Sequence, residues 1–398
     1  MNNDKKTKKI GLCVCQDSHN FGSQLQVLAT LKSIEKYDVE YEIIDYKKKL
    51  TPKFIIKSLP RLLNIGFVSS KLKYRKKMKL IKKDNEIYQK YLKREKEFND
   101  FAENNFKKYC KKYYGYKNLK KGTSNYDGFL VGSDQLWLPS NYGSNFYNFN
   151  FVPDNKIKIS YATSFGVSTI PWYQRKKTDK FLKRINYLSV REESGKKIIK
   201  DIANIDAKVV LDPTLLLTEN NWKEIIPEKK IMNFPYILCY FLGDNDEYRE
   251  QAEKLKNILK LPIVSIPNID SYSEKSKSFG DYKLYEISSD KFVNLIRNAE
   301  CVLTDSFHGS VFSIINHKNF IIFDRFREGA NSRNSRIDNL CNIFDISNKR
   351  YKKDIENIYR NSIDYEKVDK ILLGKQKESL DFLGKAIEGV KNNGEIWW

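Results

Sequence analysis

Histidine is scarce in this chain: there are three among 398 residues, at positions 19, 308 and 317. Any imidazole acid–base chemistry must therefore fall on one of those three. Cysteine is nearly as rare, with six copies at 13, 15, 110, 239, 301 and 341, scattered and mostly inside apolar runs. That pattern fits the reduced, buried thiols of a cytosolic protein better than a disulfide framework. Cys13 and Cys15 have a single residue between them, a poor match to zinc-ligand spacing, and no metal site is expected. Long hydrophobic runs are missing too. The longest candidates, such as 235–242, are strand-sized, well short of the roughly 20 residues of a membrane span. Met1 to Lys9 is charged and leads straight into a strand-like run, with no apolar stretch of signal-peptide type. The expected location is the cytoplasm.

Acidic residues are outnumbered, 50 against 72 basic, for a net charge of +22. The surplus is local. Residues 47–121 hold 25 Lys/Arg and 6 Asp/Glu, whereas the rest of the chain holds 47 and 44. This segment contains KLKYRKKMKLIKK at 71–83, then apolar residues at helical spacing: Ile87, Tyr91, Phe98, Phe101 and Phe106. Such spacing predicts a helical insert with one packed face and one lysine-covered face. The insert reads either as a solvated surface or as a docking face for anionic lipid headgroups at the inner side of the cell membrane. No recognised nucleic-acid module accompanies it, and no nucleic-acid partner is expected.

What is present in quantity is core-forming material. Hydrophobic residues make up 40% and aromatics 13%, which rules out a disordered or fibrous chain. The length suggests two domains. Short apolar runs alternate with helical patterns: 9–15, 39–46, 126–132, 156–163, 187–190 and 207–212, then a second series from 235 to 324. Strands that are apolar almost throughout and alternate with helices indicate parallel sheets covered on both faces. The series divides near the polar stretch 220–233. The expected organisation is an N-terminal Rossmann-like domain over 1–228 interrupted by the insert 47–121, a C-terminal one over 229–345, and a helical tail, 346–398, packing back on the body.

In open α/β sheets, ligands bind beyond the carboxyl ends of the strands. Four strand ends carry chemistry-bearing residues. QDSHNFGSQLQ (16–26) follows the first strand as a polar loop opening a helix, without dinucleotide-fingerprint spacing; His19 there is an exposed side chain or a participant. VGSDQLW (131–137) ends a strand in Ser133, Asp134 and Gln135 before Trp137, which suits sugar recognition or an ordinary capped turn. SVREESG (189–195) places Arg191 to fork onto an anion or to pair with Glu192 or Glu193, and Asp212 in LDPTLLL (211–217) is a cap or a hydroxyl acceptor. TDSFHGSVFS (304–313) sets His308 at a helix start after Asp305 and Ser306, which makes it the best acid–base candidate of the three histidines.

Together with SYATSFG (160–166) and NSRNSRIDNL (331–340), these segments resemble the polysaccharide pyruvyl transferase family, in the expected order over roughly residues 9–345. The resemblance implies an α/β, GT-B-like fold of two Rossmann-like domains facing a cleft. It also implies transfer of the enolpyruvyl unit of phosphoenolpyruvate to sugar hydroxyls of a polysaccharide or lipid-linked glycan, giving a pyruvate ketal and phosphate with no metal or nucleotide cofactor. On this resemblance, His308 and Asp134 would be the acid and base. Arg191, Ser306, Gly309, Ser310, Arg333 and Arg336 would hold the anionic donor. Asn20, Gly22, Gln26, Ser133, Gln135, Trp137, Asp212 and Asp305 would hold the acceptor. Some members of the family carry an arginine where this chain has Ser306, so Arg325, Arg327, Arg333 or Arg336 would have to supply that cation. Two other readings share the architecture: a nucleotide-sugar glycosyltransferase, and a non-catalytic glycan- or membrane-binding protein.

Overall fold

The structure is a computed structural model that describes residues 7–49, 78–79, 81–141, 145–268, 277–325 and 335–392. Most of the lysine-rich run 71–83, together with Arg327 and Arg333, lies outside the described residues.

In chain order the first lobe contains β1 (Lys9–Cys13), α1 (Phe21–Ile34), β2 (Glu40–Lys47), α2 (Asn85–Asn105), β3 (Cys110–Tyr114), α3 (Tyr116–Gly122), β4 (Gly128–Asp134), β5 (Ile157–Thr163), α4 (Trp172–Leu182), β6 (Tyr187–Val190), α5 (Glu193–Ala203) and β7 (Lys208–Val209). After α6 (Glu219–Ile225) come β8 (Ile237–Tyr240), α7 (Asp246–Leu259), β9 (Ile263–Ser265), β10 (Tyr282–Lys283), α8 (Ser289–Arg297), β11 (Cys301–Thr304), α9 (Phe307–Ile315), β12 (Asn319–Ile322), α10 (Ser335–Phe344), α11 (Ile355–Arg360) and α12 (Tyr365–Lys391). The strands form two parallel sheets, ordered β3-β2-β1-β4-β5-β6-β7 and β10-β9-β8-β11-β12. Both reverse winding direction beside their first strand, between β1 and β4 and between β8 and β11, and such switch points leave a crevice at the strand carboxyl ends. Central strands are apolar on both faces because helices cover both: Leu12, Leu130, Ile159, Leu238, Val302 and Ile321 are fully buried.

The segment read as an insert departs from expectation. Its last part is integral to the first sheet, since β3 pairs in parallel with β2 from Ile43↔Cys110 to Lys47↔Tyr114. Its helix, α2, packs its apolar face between the lobes, while Lys93 and Lys96 on the other face are exposed, as expected. Ile87, Phe98, Phe101 and Ala102 are buried, and so is Arg94, at 7% exposure. The Arg94 guanidinium reaches three backbone carbonyls of the second lobe: Tyr285 O at 2.6 Å, Pro267 O at 2.7 Å and Leu284 O at 3.1 Å. On the other side, Gln24 of α1 donates to Phe98 O at 2.8 Å, and Phe98 packs on Phe21 with ring centroids 5.0 Å apart.

The tail crosses back to the first lobe through α12. Tyr37 Oη donates to Leu380 O at 3.0 Å, Gln376 to Leu215 O at 2.8 Å, and Leu211 N to Ser379 Oγ at 3.0 Å. Among the described residues no helix is long and apolar enough to cross a membrane.

Candidate active site

A cleft of about 510 Å³ opens where the two sheets present their carboxyl ends. It is lined by the loop after β1 (Asp17, Ser18, His19, Asn20), by Ser23, by Asp134 and Gln135 after β4, and by Leu242 after β8. Ser306, Phe307 and His308 after β11, Arg325 after β12, Arg336 of α10, and Tyr91 and Glu95 of α2 complete it. Every switch-point strand thus contributes to one space, as the winding of the two sheets dictates.

Asp134 closes β4 in a left-handed backbone conformation, φ 73°. Aspartate tolerates this because its short side chain bonds its own backbone; Oδ1 accepts from Gln135 N at 2.8 Å. Ser23 Oγ donates to Oδ2 at 2.7 Å. Burial alone would raise the Asp134 pKa, but Arg191, Arg336 and His308 outweigh it and hold the carboxyl below its usual range.

Asp212 lies beneath the cleft floor at 1% exposure. Oδ2 accepts from Arg191 Nη1 at 2.7 Å and from the Gln26 amide, and sits 3.2 Å from Ser133 Oγ. Oδ1 accepts from Thr214 N at 3.1 Å and Thr214 Oγ1 at 2.7 Å, and stands 3.9 Å from His308 Nε2. Against a burial effect that would raise it, these partners, with His308 and Arg191 foremost, hold the carboxyl far below the ordinary value. Arg191 is 3% exposed and lies over the Phe307 ring at 4.6 Å. Burial disfavours its charge, yet Asp212, Glu192 and Asp134 keep its pKa above the usual value. Its Nε and Nη2 atoms and His308 Nε2 meet no hydrogen-bond partner among the described residues.

His308 is fixed by packing. A Cβ added at Gly22 would stand 1.9 Å from His308 Nδ1, so α1 approaches this closely only because position 22 has no side chain. Arg336 lies 5.9 Å above Phe307. The enclosure of the cleft, together with neighbouring Arg191, pulls its pKa down to about 10. The Gln135 amide, with its oxygen turned toward Arg336, accepts from Nη2 and Nε at 3.0 and 3.2 Å.

The expected site residues therefore separate into two groups. Asn20, Asp134, Gln135, Ser306, His308 and Arg336 face the cleft. Gln26, Ser133, Arg191 and Asp212 form a buried network below it, so the acceptor contacts expected of Gln26, Ser133 and Asp212 give way to mutual hydrogen bonds. Trp137 offers no platform to a sugar, because it is 6% exposed and its Nε1 donates to Tyr147 O at 3.0 Å. Both Asp305 oxygens are occupied by backbone, Leu242 N at 2.6 Å and Gly243 N at 2.7 Å, and burial still raises its pKa. The amides of Gly309 and Ser310 do not form the expected anion cradle. Gly309 N donates to Ser306 Oγ at 3.3 Å and Ser310 N to Ser306 O at 3.0 Å, because Ser306 caps α9.

Tyr91 and Glu95 were missed as cleft residues. Their i, i+4 spacing puts them on one helix face, but nothing local shows that this face meets the loop after β1. There Glu95 Oε2 pairs with His19 Nδ1 at 2.7 Å, and His19 stacks on Phe98 at 5.6 Å. Among the described residues no group of three His, Cys, Asp or Glu side chains is placed to hold a metal ion.

No curated protein gives a significant sequence match. Among solved structures, a UDP-N-acetylglucosamine 2-epimerase superposes with a TM-score of 0.51 at 9% identity, covering 98% of each chain. The UDP-GlcNAc 2-epimerase of Methanocaldococcus jannaschii gives 0.46 at 12% identity over 93% of each chain. A wall teichoic acid polymerase gives 0.47 at 10% identity, covering 98% of this chain and 90% of that one. The first of these supports the GT-B-like arrangement and nothing beyond the fold. The family model for polysaccharide pyruvyl transferase matches residues 20–325, a span that runs through both sheets and supplies all of the cleft wall except Asp17, Ser18, His19 and Arg336. The chain belongs to the polysaccharide pyruvyl transferase family.

Proposed function

We propose that the protein transfers the enolpyruvyl group of phosphoenolpyruvate to two hydroxyls of a glycan acceptor, forming a cyclic pyruvate ketal and releasing phosphate. The observation that carries this reading is the charge arrangement of the cleft. Arg325, Arg336 and His308 line one part of it, Arg191 lies directly beneath, and Asp134 is held ionised among them. A donor with a phosphate and a carboxylate suits such a wall, and planar guanidinium groups bind either anion through two hydrogen bonds.

In this scheme Arg336 and Arg325 take the place of the cation that position 306 lacks. Arg191 is committed to Asp212 by one nitrogen and acts from below the floor. Asp134 accepts the proton of the first acceptor hydroxyl as its oxygen attacks C2, and His308 delivers a proton to the methylene carbon, which becomes the methyl group. The second hydroxyl then displaces phosphate, its proton leaves with the phosphate, and the proton taken up by Asp134 returns to His308 through solvent, which restores both groups. Protons balance, no electron pair is lost to an oxidant, and no resident metal or nucleotide enters the scheme. Asn20, Tyr91 and Glu95, which also line the cleft, would supply donors and acceptors for a neutral, hydroxyl-rich ligand.

The test is incubation with phosphoenolpyruvate and a panel of synthetic and lipid-linked glycans, scoring ketal mass gain and phosphate release together. His308→Gln is expected to lower turnover by at least about 10²-fold while phosphoenolpyruvate binding persists. Full ketal formation by this variant would remove His308 from the chemistry.

A further inference from the structure

The most exposed large apolar side chain among the described residues is Trp172, at 84%, and its neighbour Tyr173 is 52% exposed. Their rings meet edge to face at 5.9 Å on the first turn of α4. Two adjacent aromatics left in water at a helix start contribute nothing to the core of the fold. The core is served instead by Thr178, Phe181 and Leu182 of the same helix, all buried. Following them on the outer face, Arg175, Lys176, Lys177 and Lys180 are all exposed. Lys176, Lys177 and Lys180 take part in no ion pair among the described residues. The helix's one acid, Asp179, is already paired with Lys183 at 2.6 Å. Three further lysines, at 196, 197 and 200, are exposed on α5, which packs beside α4; Lys196 pairs with Glu193 at 3.9 Å and Lys200 with Asp206 at 3.0 Å.

The location matters as much as the composition. The chain enters α4 from the carboxyl end of β5, the end of the sheet on which the cleft opens. Gln174 donates to Pro139 O at 3.1 Å, which ties this first turn to the loop that leaves the cleft at Gln135.

We propose that the exposed face of α4 is a docking surface for an anionic lipid bilayer. Trp172 and Tyr173 would seat at headgroup depth, where rings with an apolar body and a polar edge are most stable. The lysine and arginine heads would lie over anionic phosphates. A bilayer is favoured over a protein partner because the surface is flanked by cations and no other large apolar side chain of α4 or α5 is exposed. Docking here would turn the cleft edge of the first lobe toward the membrane. This surface is separate from the 47–121 segment, whose described helix is spent on joining the lobes.

The experiment is cosedimentation of the full chain with phosphatidylcholine vesicles with and without phosphatidylglycerol. The wild type is expected to sediment with the anionic vesicles only. Trp172→Ala/Tyr173→Ala, which leaves charge unchanged, and Lys176→Glu/Lys177→Glu are each expected to lower partitioning roughly tenfold or more. Lys82→Glu/Lys83→Glu serves as the control for net charge and is expected to partition as the wild type does. Wild-type protein that stays in the supernatant would overturn the proposal, and so would aromatic variants that partition normally. Equal loss in the Lys82/Lys83 control would do the same, since net charge alone would then explain binding. Binding to a sulfated polysaccharide without vesicle binding would assign the surface to glycan instead.

Discussion

At the scale of single residues, the centre of the molecule is Asp212. Three donors of different chemistry, a guanidinium, an amide and the Thr214 pair, converge on one buried carboxylate. Replacing it by asparagine would leave the Arg191 charge buried without its closest counter-ion. Breaking a buried pair from one side costs about 3–5 kcal/mol, so Asp212→Asn is expected to lose about that much stability in urea unfolding at neutral pH. The pH dependence follows from the direction of the shift. Asp212 and Asp134 are both held below the ordinary carboxylate value in the folded state. Their contribution is therefore fully present above the unfolded value of roughly 4, and is lost as pH falls through the depressed folded values. Asp212→Asn should flatten this acid limb of the stability profile, and an unchanged slope would contradict the pairing. The sequence identified Asp212 as chemistry-bearing but not which way its oxygens point. A strand-end aspartate can serve a ligand or a neighbouring arginine, and that choice depends on a partner 21 residues away.

At the scale of elements, α2 acts as a strap. Its apolar spacing was legible: Ile87, Phe98 and Phe101 are buried, as a one-sided helix requires. The partner of that face was not. Arg94 reads as one more cation in a basic stretch, yet it bridges to carbonyls 173 to 191 positions away. Charged hydrogen bonds are worth roughly 1.5–3 kcal/mol each, and carbonyls left unsatisfied add to the loss. Arg94→Ala is expected to destabilise the protein by about 3 kcal/mol or more in thermal or urea unfolding. Arg94→Lys should fall between, because an ammonium group lacks the planar fork that reaches three carbonyls at once. A wild-type melting profile for Arg94→Ala would show that the lobes are held by other contacts.

At the scale of the whole molecule, the cleft draws its charged and titratable groups from both lobes: Asp134, with Arg191 beneath it, from the first, and His308, Arg325 and Arg336 from the second. A ligand bound across them stabilises the folded chain by mass action. Phosphoenolpyruvate is expected to raise the melting temperature of the wild type. Arg336→Ala should weaken its binding roughly 10- to 100-fold, as loss of a charge-assisted bidentate contact does. A shift of the same size in the variant would place the donor elsewhere. The surplus of charge resolves at this scale as well. A count of 25 basic residues in one segment invites a single explanation, but the described part divides between a sheet strand, an interlobe helix and exposed lysines. The surface best suited to an anionic partner lies instead on α4, where two exposed aromatics accompany ordinary lysines.

The sequence by itself determined the class of fold and the places where chemistry gathers. Both follow from local patterning: strands apolar on both faces demand helices on both sides, and polar, glycine-bearing strand ends mark the mouth of a parallel sheet. Only the tertiary structure decided which of those residues face the cleft and which lie beneath it. It turned Trp137 inward, spent the Gly309 and Ser310 amides on a serine cap, brought Tyr91 and Glu95 into the cleft wall, and set Gly22 against His308. Each of these depends on the packing of elements far apart in the chain. Burial and pairing are properties of the assembled core, and a strand-end residue looks the same in sequence whether its side chain meets a substrate or another side chain.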